Sequence, residues 1–285
     1  MKQRWLVAVI GLPLLLLVLL ACPAWATGLL VCAIAIVAAY ELLHVAGRNV
    51  SKGIYAFVIA CAAAQVYVIY QERAAGQVPP GSAFGAPVDR LWILPVALLM
   101  GLFFAAVLTY GREKPFPVAS VTAGVVGGAL FPTMYSCILL LRMHESYGRL
   151  YVLAPFFIAF AGDSLSMYFG MWFGKRKMAP HVSPKKTWAG FIGGPVGSLL
   201  GMLLLGVIGS KWLGYAPPWL SLIAVGVAGN LLGQLGDLSM SLVKREHGVK
   251  DYSHLFLTHG GMLDRFDSTL FIAPVVYLFV SMGMI

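Results

Sequence analysis

Apolar residues run through this chain in long blocks separated by short polar segments. The blocks are too many and too continuous for a water-facing surface. A bilayer core takes a helix of roughly 20 apolar residues. Blocks of that kind lie at 5–22, 27–46, 53–70, 92–110, 118–141, 150–173, 189–210, 217–236 and 269–284. Each predicts a membrane-crossing helix, so the expected fold class is all-α, a polytopic transmembrane helical bundle of about nine spans. Asp163 and Asn230 interrupt the sixth and eighth blocks. The connection 71–91, with Gly and two consecutive prolines, predicts an exposed loop.

Composition agrees. The 285 residues are 60% hydrophobic and 11% charged, against about 25% charged in a soluble domain. With the N-terminus cytoplasmic, the inner segments hold Lys2, Arg4, Arg48, Lys52, Arg112, Lys114, Lys175, Arg176, Lys177, Lys185, Lys186, Lys244, Arg245, Lys250 and Arg265. The outer ones hold Arg73, Arg90, Arg142, Arg149 and Lys211. That bias of 15 to 5 follows the positive-inside rule. The first block starts with Lys2 and Arg4 and precedes Ala24-Trp25-Ala26, which resembles a signal-peptide cleavage site. Its apolar run exceeds the roughly 7–15 residues of an h-region, so a retained helix is expected. The net charge of +9 sits in short loop clusters with no basic domain, which argues against nucleic acid and for anionic lipid or phosphate. Cys22, Cys32, Cys61 and Cys137 have no CxxC spacing and read as small buried hydrophobes.

Polar residues concentrate in the second half, dividing the chain into helices of scaffold and lipid-entry character (1–150) and a catalytic region (151–285). In the first half, Glu41 and His44 stand one turn apart near a helix end, readable as a helix-end pair or as the lining of a site. In the second, Asp163 with Ser164 and Ser166 lies inside an apolar block, where a carboxylate is expected to face a partner or a wet cavity. Lys175-Arg176-Lys177 is followed by Ser183-Pro184-Lys185-Lys186-Thr187, cations and hydroxyls at a helix start that suit phosphate oxygens. The densest group is Asp237, Ser241, Lys244, Arg245, Lys250, Asp251, His259-Gly260-Gly261, Asp264, Arg265, Asp267 and Ser268. Acids and bases interleave there, unlike a plain basic anchor. Asp264 and Asp267 are three apart, on one face of a helix. Hard carboxylates of this kind suit Mg²⁺, which shares substrate phosphates. The cations would hold phosphate oxygens, and the glycines let backbone approach a ligand.

At these residues the sequence resembles the phosphatidate cytidylyltransferase family, also called CDP-diacylglycerol synthases. Ser241, Val243, Lys244, Arg245, Lys250, Asp251, Ser253, His259, Gly260, Gly261, Met262, Asp264, Arg265, Phe266 and Asp267 stand in register with that family's signature. Asp163 and the Ser183–Thr187 stretch also look like its C-terminal half. Leu257-Thr258 departs from the family's usual Pro-Gly before His-Gly-Gly. The N-terminal half resembles the family only in being hydrophobic.

The resemblance implies an enzyme joining CTP to phosphatidate, giving CDP-diacylglycerol and pyrophosphate, at the cytoplasmic face of a bacterial inner membrane. Mg²⁺, with room for a second metal ion, would be held by Asp237 and Asp264, then Asp267 and Asp163. Lys244, Arg245, Lys250 and Arg265 would bind CTP or pyrophosphate. Asp251 and His259 complete the expected catalytic set, His259 orienting phosphate or making a structural bond. Asp163, Ser183, Lys185, Lys186, Thr187, Ser241, Gly260, Gly261 and Ser268 form the expected substrate-binding set, with Ser183, Lys185 and Lys186 at the lipid phosphate. Besides these substrates and membrane lipid, a homodimer is an open partner. Two other readings are a cytidylyltransferase for another lipid phosphate, and an ion-coupled transporter using Asp163 and Asp237. The chain shows no paired inverted halves of the transporter kind.

Overall fold

The computed structural model describes residues 11–76, 88–256 and 260–285, the side chains of 88–90 excepted. Helix α1 (Gly11–Ala21) ends in a π-turn at Leu17–Ala21. There follow α2 (Ala24–Ala46), α3 (Lys52–Ala74) and α4 (Val88–Thr109). Helix α5 (Val118–Arg142) carries a π-turn at Val126–Leu130. One turn at Gly148–Tyr151 leads into α6 (Ala154–Phe173). Strands β1 (Lys177–Ala179) and β2 (Ser183–Thr187) form an antiparallel hairpin. The chain ends in α7 (Trp188–Leu213), α8 (Trp219–Glu246) and α9 (Leu263–Ser281).

Seven of these stretches are long and apolar enough to cross a membrane: α2, α3, α4 from Leu91, α5, α6 with its preceding turn, α7 and α8. The protein is an integral membrane protein of polytopic helical fold. The hairpin is an addition to the expected all-α class. Its strands are short, one contains Pro184, and neither has an apolar alternation from which a strand could be read. Residues 77–87, most of the predicted loop 71–91, lie outside the described residues, as does the start of the first block.

Side-chain hydrogen bonds fix which helix ends meet. At one end, Arg142 of α5 donates from Nε to the Leu19 carbonyl (2.8 Å) and from Nη2 to that of Cys22 (3.0 Å). A cation there satisfies carbonyls that α1 leaves unpaired at its C-terminus. At the other end, Ser120 Oγ of α5 accepts from Arg48 N (2.7 Å) and donates to the Arg48 carbonyl (3.0 Å). Ser51 caps α3 by accepting from Ile54 N.

The core is packed from both halves. One buried cluster joins Ile34, Ala38 and Leu42 of α2 to Tyr135 and Ile138 of α5, Met240 of α8 and Leu263 and Leu270 of α9. Helices α6 and α7 pack through small residues: a Cβ at Gly197 would strike the Ala161 carbonyl, and one at Gly201 would meet the Ala161 side chain. Such contacts let backbones approach closely where apolar burial alone favours no partner over lipid. All four cysteines are free; Cys61 and Cys137 are buried and Cys22 and Cys32 half-buried.

Candidate active site

Close packing of α6 on α7 puts Asp163 beside the hairpin and α8. These elements enclose a polar cleft of about 490 Å³. Asp163 and Ser166 come from α6, Lys177, Lys185, Lys186 and Thr187 from the hairpin, and Gln234 and Asp237 from α8. Apolar lining comes from Met167, Met171, Met178 and Phe191. Lys186 Nζ pairs with Asp237 Oδ2 at 2.6 Å. Thr187 ends β2 and caps α7, its hydroxyl accepting from Gly190 N (3.2 Å). Asp237 lies close enough to repel both Asp163 and Asp267, with Lys186 offsetting the charge at Asp163 and Lys244 that at Asp267.

The eighth apolar block ends at 236, yet α8 continues to Glu246. Asp237, Ser241 and Lys244 therefore follow one helical face. Ser241 Oγ donates to Asp237 Oδ1 at 3.4 Å. Lys244 is buried; its Nζ reaches Asp264 Oδ1 at 2.5 Å and lies 5.5 Å from the centre of the Tyr252 ring. The other oxygen of Asp264 accepts from Tyr252 N and Gly261 N, each at 2.8 Å. Asp264 thus clasps the described ends of the loop between α8 and α9. Gly260 has φ +78°, and a Cβ there would meet Asp264 Oδ2 at 2.7 Å, so the position takes glycine on both counts. Tyr252 donates to the Met240 carbonyl (3.1 Å). Its phenol is pushed well above the ordinary tyrosine value, first by burial and then by the charges of Asp264, Asp267 and Glu41.

The structure therefore brings most of the expected residues to one end of the bundle, in two adjoining groups. Asp163, Lys185, Lys186, Thr187 and Asp237 line the cleft, with Ser241 bonded to Asp237. Lys244, Gly260, Gly261 and Asp264 build the clasp. Asp267 is buried on α9 and accepts from Ser268 N (2.7 Å). Arg245 turns to the hairpin and loop instead, donating to the Val182 and Val249 carbonyls. Ser183 pairs with Ala179 in the hairpin, and Lys250 and Arg265 are exposed. Asp251 is half-buried in the loop. His259, with Leu257 and Thr258, lies outside the described residues.

Two participants stand outside the expected catalytic and substrate-binding sets, although the sequence left Glu41 open as the lining of a site. Gln234 donates to Asn230 Oδ1 (2.7 Å) and to the Phe191 carbonyl (3.1 Å), fixing its amide at the cleft wall. Its place one turn before Asp237 was the available signal. Glu41 of α2 is fully buried and binds the loop and the start of α9. It is not paired with His44, which stacks on Tyr40 at 5.6 Å between ring centres.

Hard carboxylate oxygens that repel one another, with lysines as the neighbouring charges, are a donor set suited to a divalent cation. Among the described residues no three His, Cys, Asp or Glu side chains converge as a preformed cage. Mg²⁺ needs none, since it uses one or two carboxylates and fills its remaining positions with water and substrate phosphate.

Comparison with known proteins identifies the family. The model of the cytidylyltransferase family matches residues 2–282. A phosphatidate cytidylyltransferase of Rickettsia prowazekii is 31% identical over 202 residues, covering 68% of this chain and 87% of the relative. One of Brucella abortus biovar 1 is 32% identical over 210 residues, 70% of this chain and 74% of the relative. One of Aquifex aeolicus is 38% identical over 194 residues, 67% of this chain and 66% of the relative. With a family-model match across almost its whole length, the chain belongs to the cytidylyltransferase family.

Proposed function

We propose that this protein transfers the cytidylyl group of CTP to phosphatidate, giving CDP-diacylglycerol and pyrophosphate. The observation that carries the reading is the polar cleft, where Lys185, Lys186 and the start of α7 face Asp163 and Asp237 beside the Lys244–Asp264 clasp. Phosphate-bearing substrates suit such a mixture, and the methionine-rich wall of the same cleft suits an acyl chain.

A phosphate oxygen of phosphatidate attacks the α-phosphorus of CTP. The new P–O bond forms as the bond to the β-phosphate oxygen breaks, and pyrophosphate leaves. The nucleophile is an anion near neutral pH, so no strong general base is required. The barrier comes from bringing two anions together, which positioned cations lower. Lys185 and Lys186 meet the lipid phosphate, Lys186 exchanging its bond to Asp237 for one to substrate. Lys244 and the exposed Lys250 and Arg265 serve the triphosphate, and Ser241 orients Asp237. Arg245 supports the hairpin through Val182. Asp237 and Asp267, with Asp264 as the third candidate, would hold Mg²⁺, which supplies charge neutralisation at the triphosphate when bound.

The site end of the bundle is cytoplasmic in this reading, where CTP is found, with nine crossings and an N-terminus on the same side. The membrane is the bacterial inner membrane. The test is Asp237→Asn, which should lower turnover at least about 100-fold while the protein still inserts and stays monodisperse in detergent. Near-normal activity would remove Asp237 from the mechanism.

A further inference from the structure

Glu41 sits on α2, 212 to 222 residues from the groups it binds. It is 1% exposed. Oε1 accepts from Ser253 Oγ (2.5 Å) and Met262 N (3.0 Å), and Oε2 from Leu263 N (2.8 Å). Met262 is the residue before α9, and the helix has no side-chain cap of its own. Glu41 thus supplies from another helix the anion that a helix N-terminus favours. The fit is tight: a Cβ at Gly261 would collide with its carboxylate.

We propose that Glu41 is a positioning residue for the transfer reaction, holding the first turn of α9 and the preceding loop in catalytic register against α8. Leu263 adjoins Asp264, which holds Lys244 and Tyr252, and Asp267 follows one turn later. A shift of the first turn of α9 displaces these groups relative to Asp237. Glu41 acts through them and does not face the cleft. The inference rests on the cytidylyl-transfer reading above.

Glu41→Gln keeps size and one acceptor oxygen but puts a donor amide where an N–H must be accepted. It should lower kcat about 10- to 100-fold, as small misplacements of reacting groups do, with the KM for CTP within about threefold of wild type. Glu41→Asp, which keeps the carboxylate, should recover part of that loss. In hydrogen exchange followed by mass spectrometry, peptides spanning Met262 and Leu263 should exchange faster in Glu41→Gln while the rest of the map is unchanged. Gly261→Ala should lower kcat alone but add little in a Glu41→Ala background, because the Cβ then has room. A wild-type kcat in Glu41→Gln, a rate loss matched by faster exchange throughout the protein, or Glu41→Asp no better than Glu41→Gln would overturn the positioning role and leave the transfer activity standing. A wild-type protein inactive on CTP and phosphatidate would overturn the transfer reading and this role with it.

Discussion

Asp237 and Asp264 are both acids of the site end of the bundle, yet their surroundings differ. Asp237 opens on the cleft and shares one oxygen with Lys186. Asp264 accepts from Lys244, Tyr252 and Gly261. Removing one partner of the buried Lys244–Asp264 pair leaves the other charge uncompensated, so Lys244→Ala should destabilise the protein by about 3–5 kcal/mol. Thermal unfolding in detergent measures this, and an unchanged midpoint would show that the clasp does not hold the loop. Tyr252 gives a prediction with pH. Its folded-state value is raised above the unfolded one, so its contribution is complete below the unfolded value of about 10 and declines as pH rises beyond it. In an alkaline unfolding series, wild type should lose stability above pH ~10 more steeply than Tyr252→Phe. Equal slopes would contradict the assigned burial. At this scale the sequence displayed Asp163, Asp237 and the Lys185–Lys186 pair, because charges inside or beside apolar blocks are conspicuous. It did not assign Glu41, whose partners are distant and are mostly backbone N–H groups that carry no residue identity.

Helices, unlike individual charges, were legible in position but less so in extent. The apolar blocks fall on helices wherever they are described, but α8 runs on past residue 236 and α9 begins at Leu263, before residue 269. Hydropathy reports which part of a helix faces lipid, whereas helix ends depend on caps and on polar neighbours. The extra turns carry Asp237, Ser241, Lys244, Asp264 and Asp267, so much of the site occupies portions that hydropathy leaves out, while Asp163, Ser166 and Gln234 stand inside apolar blocks. The hairpin was legible as basic chemistry and not as strand. Its junction with α7 depends on Thr187, 6% exposed and bonded to Gly190 N. Thr187→Ala should cost about 0.5–2 kcal/mol of stability through the lost cap, and it should also weaken phosphate binding at the adjoining lysines. A variant with wild-type melting and wild-type kinetics would show that the junction matters to neither.

For the molecule as a whole, the two regions read from polar-residue distribution are joined across the core by Glu41 and by Tyr135, whose hydroxyl donates to the Phe266 carbonyl (3.3 Å). The first half therefore packs directly against the elements that carry the candidate site, which its near-uniform apolarity did not reveal. Charge bias and helix ends tell one story: Arg142 secures the end remote from the cleft, while Lys185, Lys186, Lys244 and Lys250 gather at the cleft end. In the proposed reaction, the acceptor lipid and the nucleotide would meet there, where the helices stop being apolar. The most direct measurement is conversion of labelled CTP and phosphatidate by the detergent-purified protein, with and without Mg²⁺. A labelled lipid and pyrophosphate should appear in equal amounts, dependent on Mg²⁺ and lost in Asp237→Asn. Absence of labelled lipid from well-folded protein, with product instead from another lipid phosphate, would contradict the assignment of phosphatidate as acceptor.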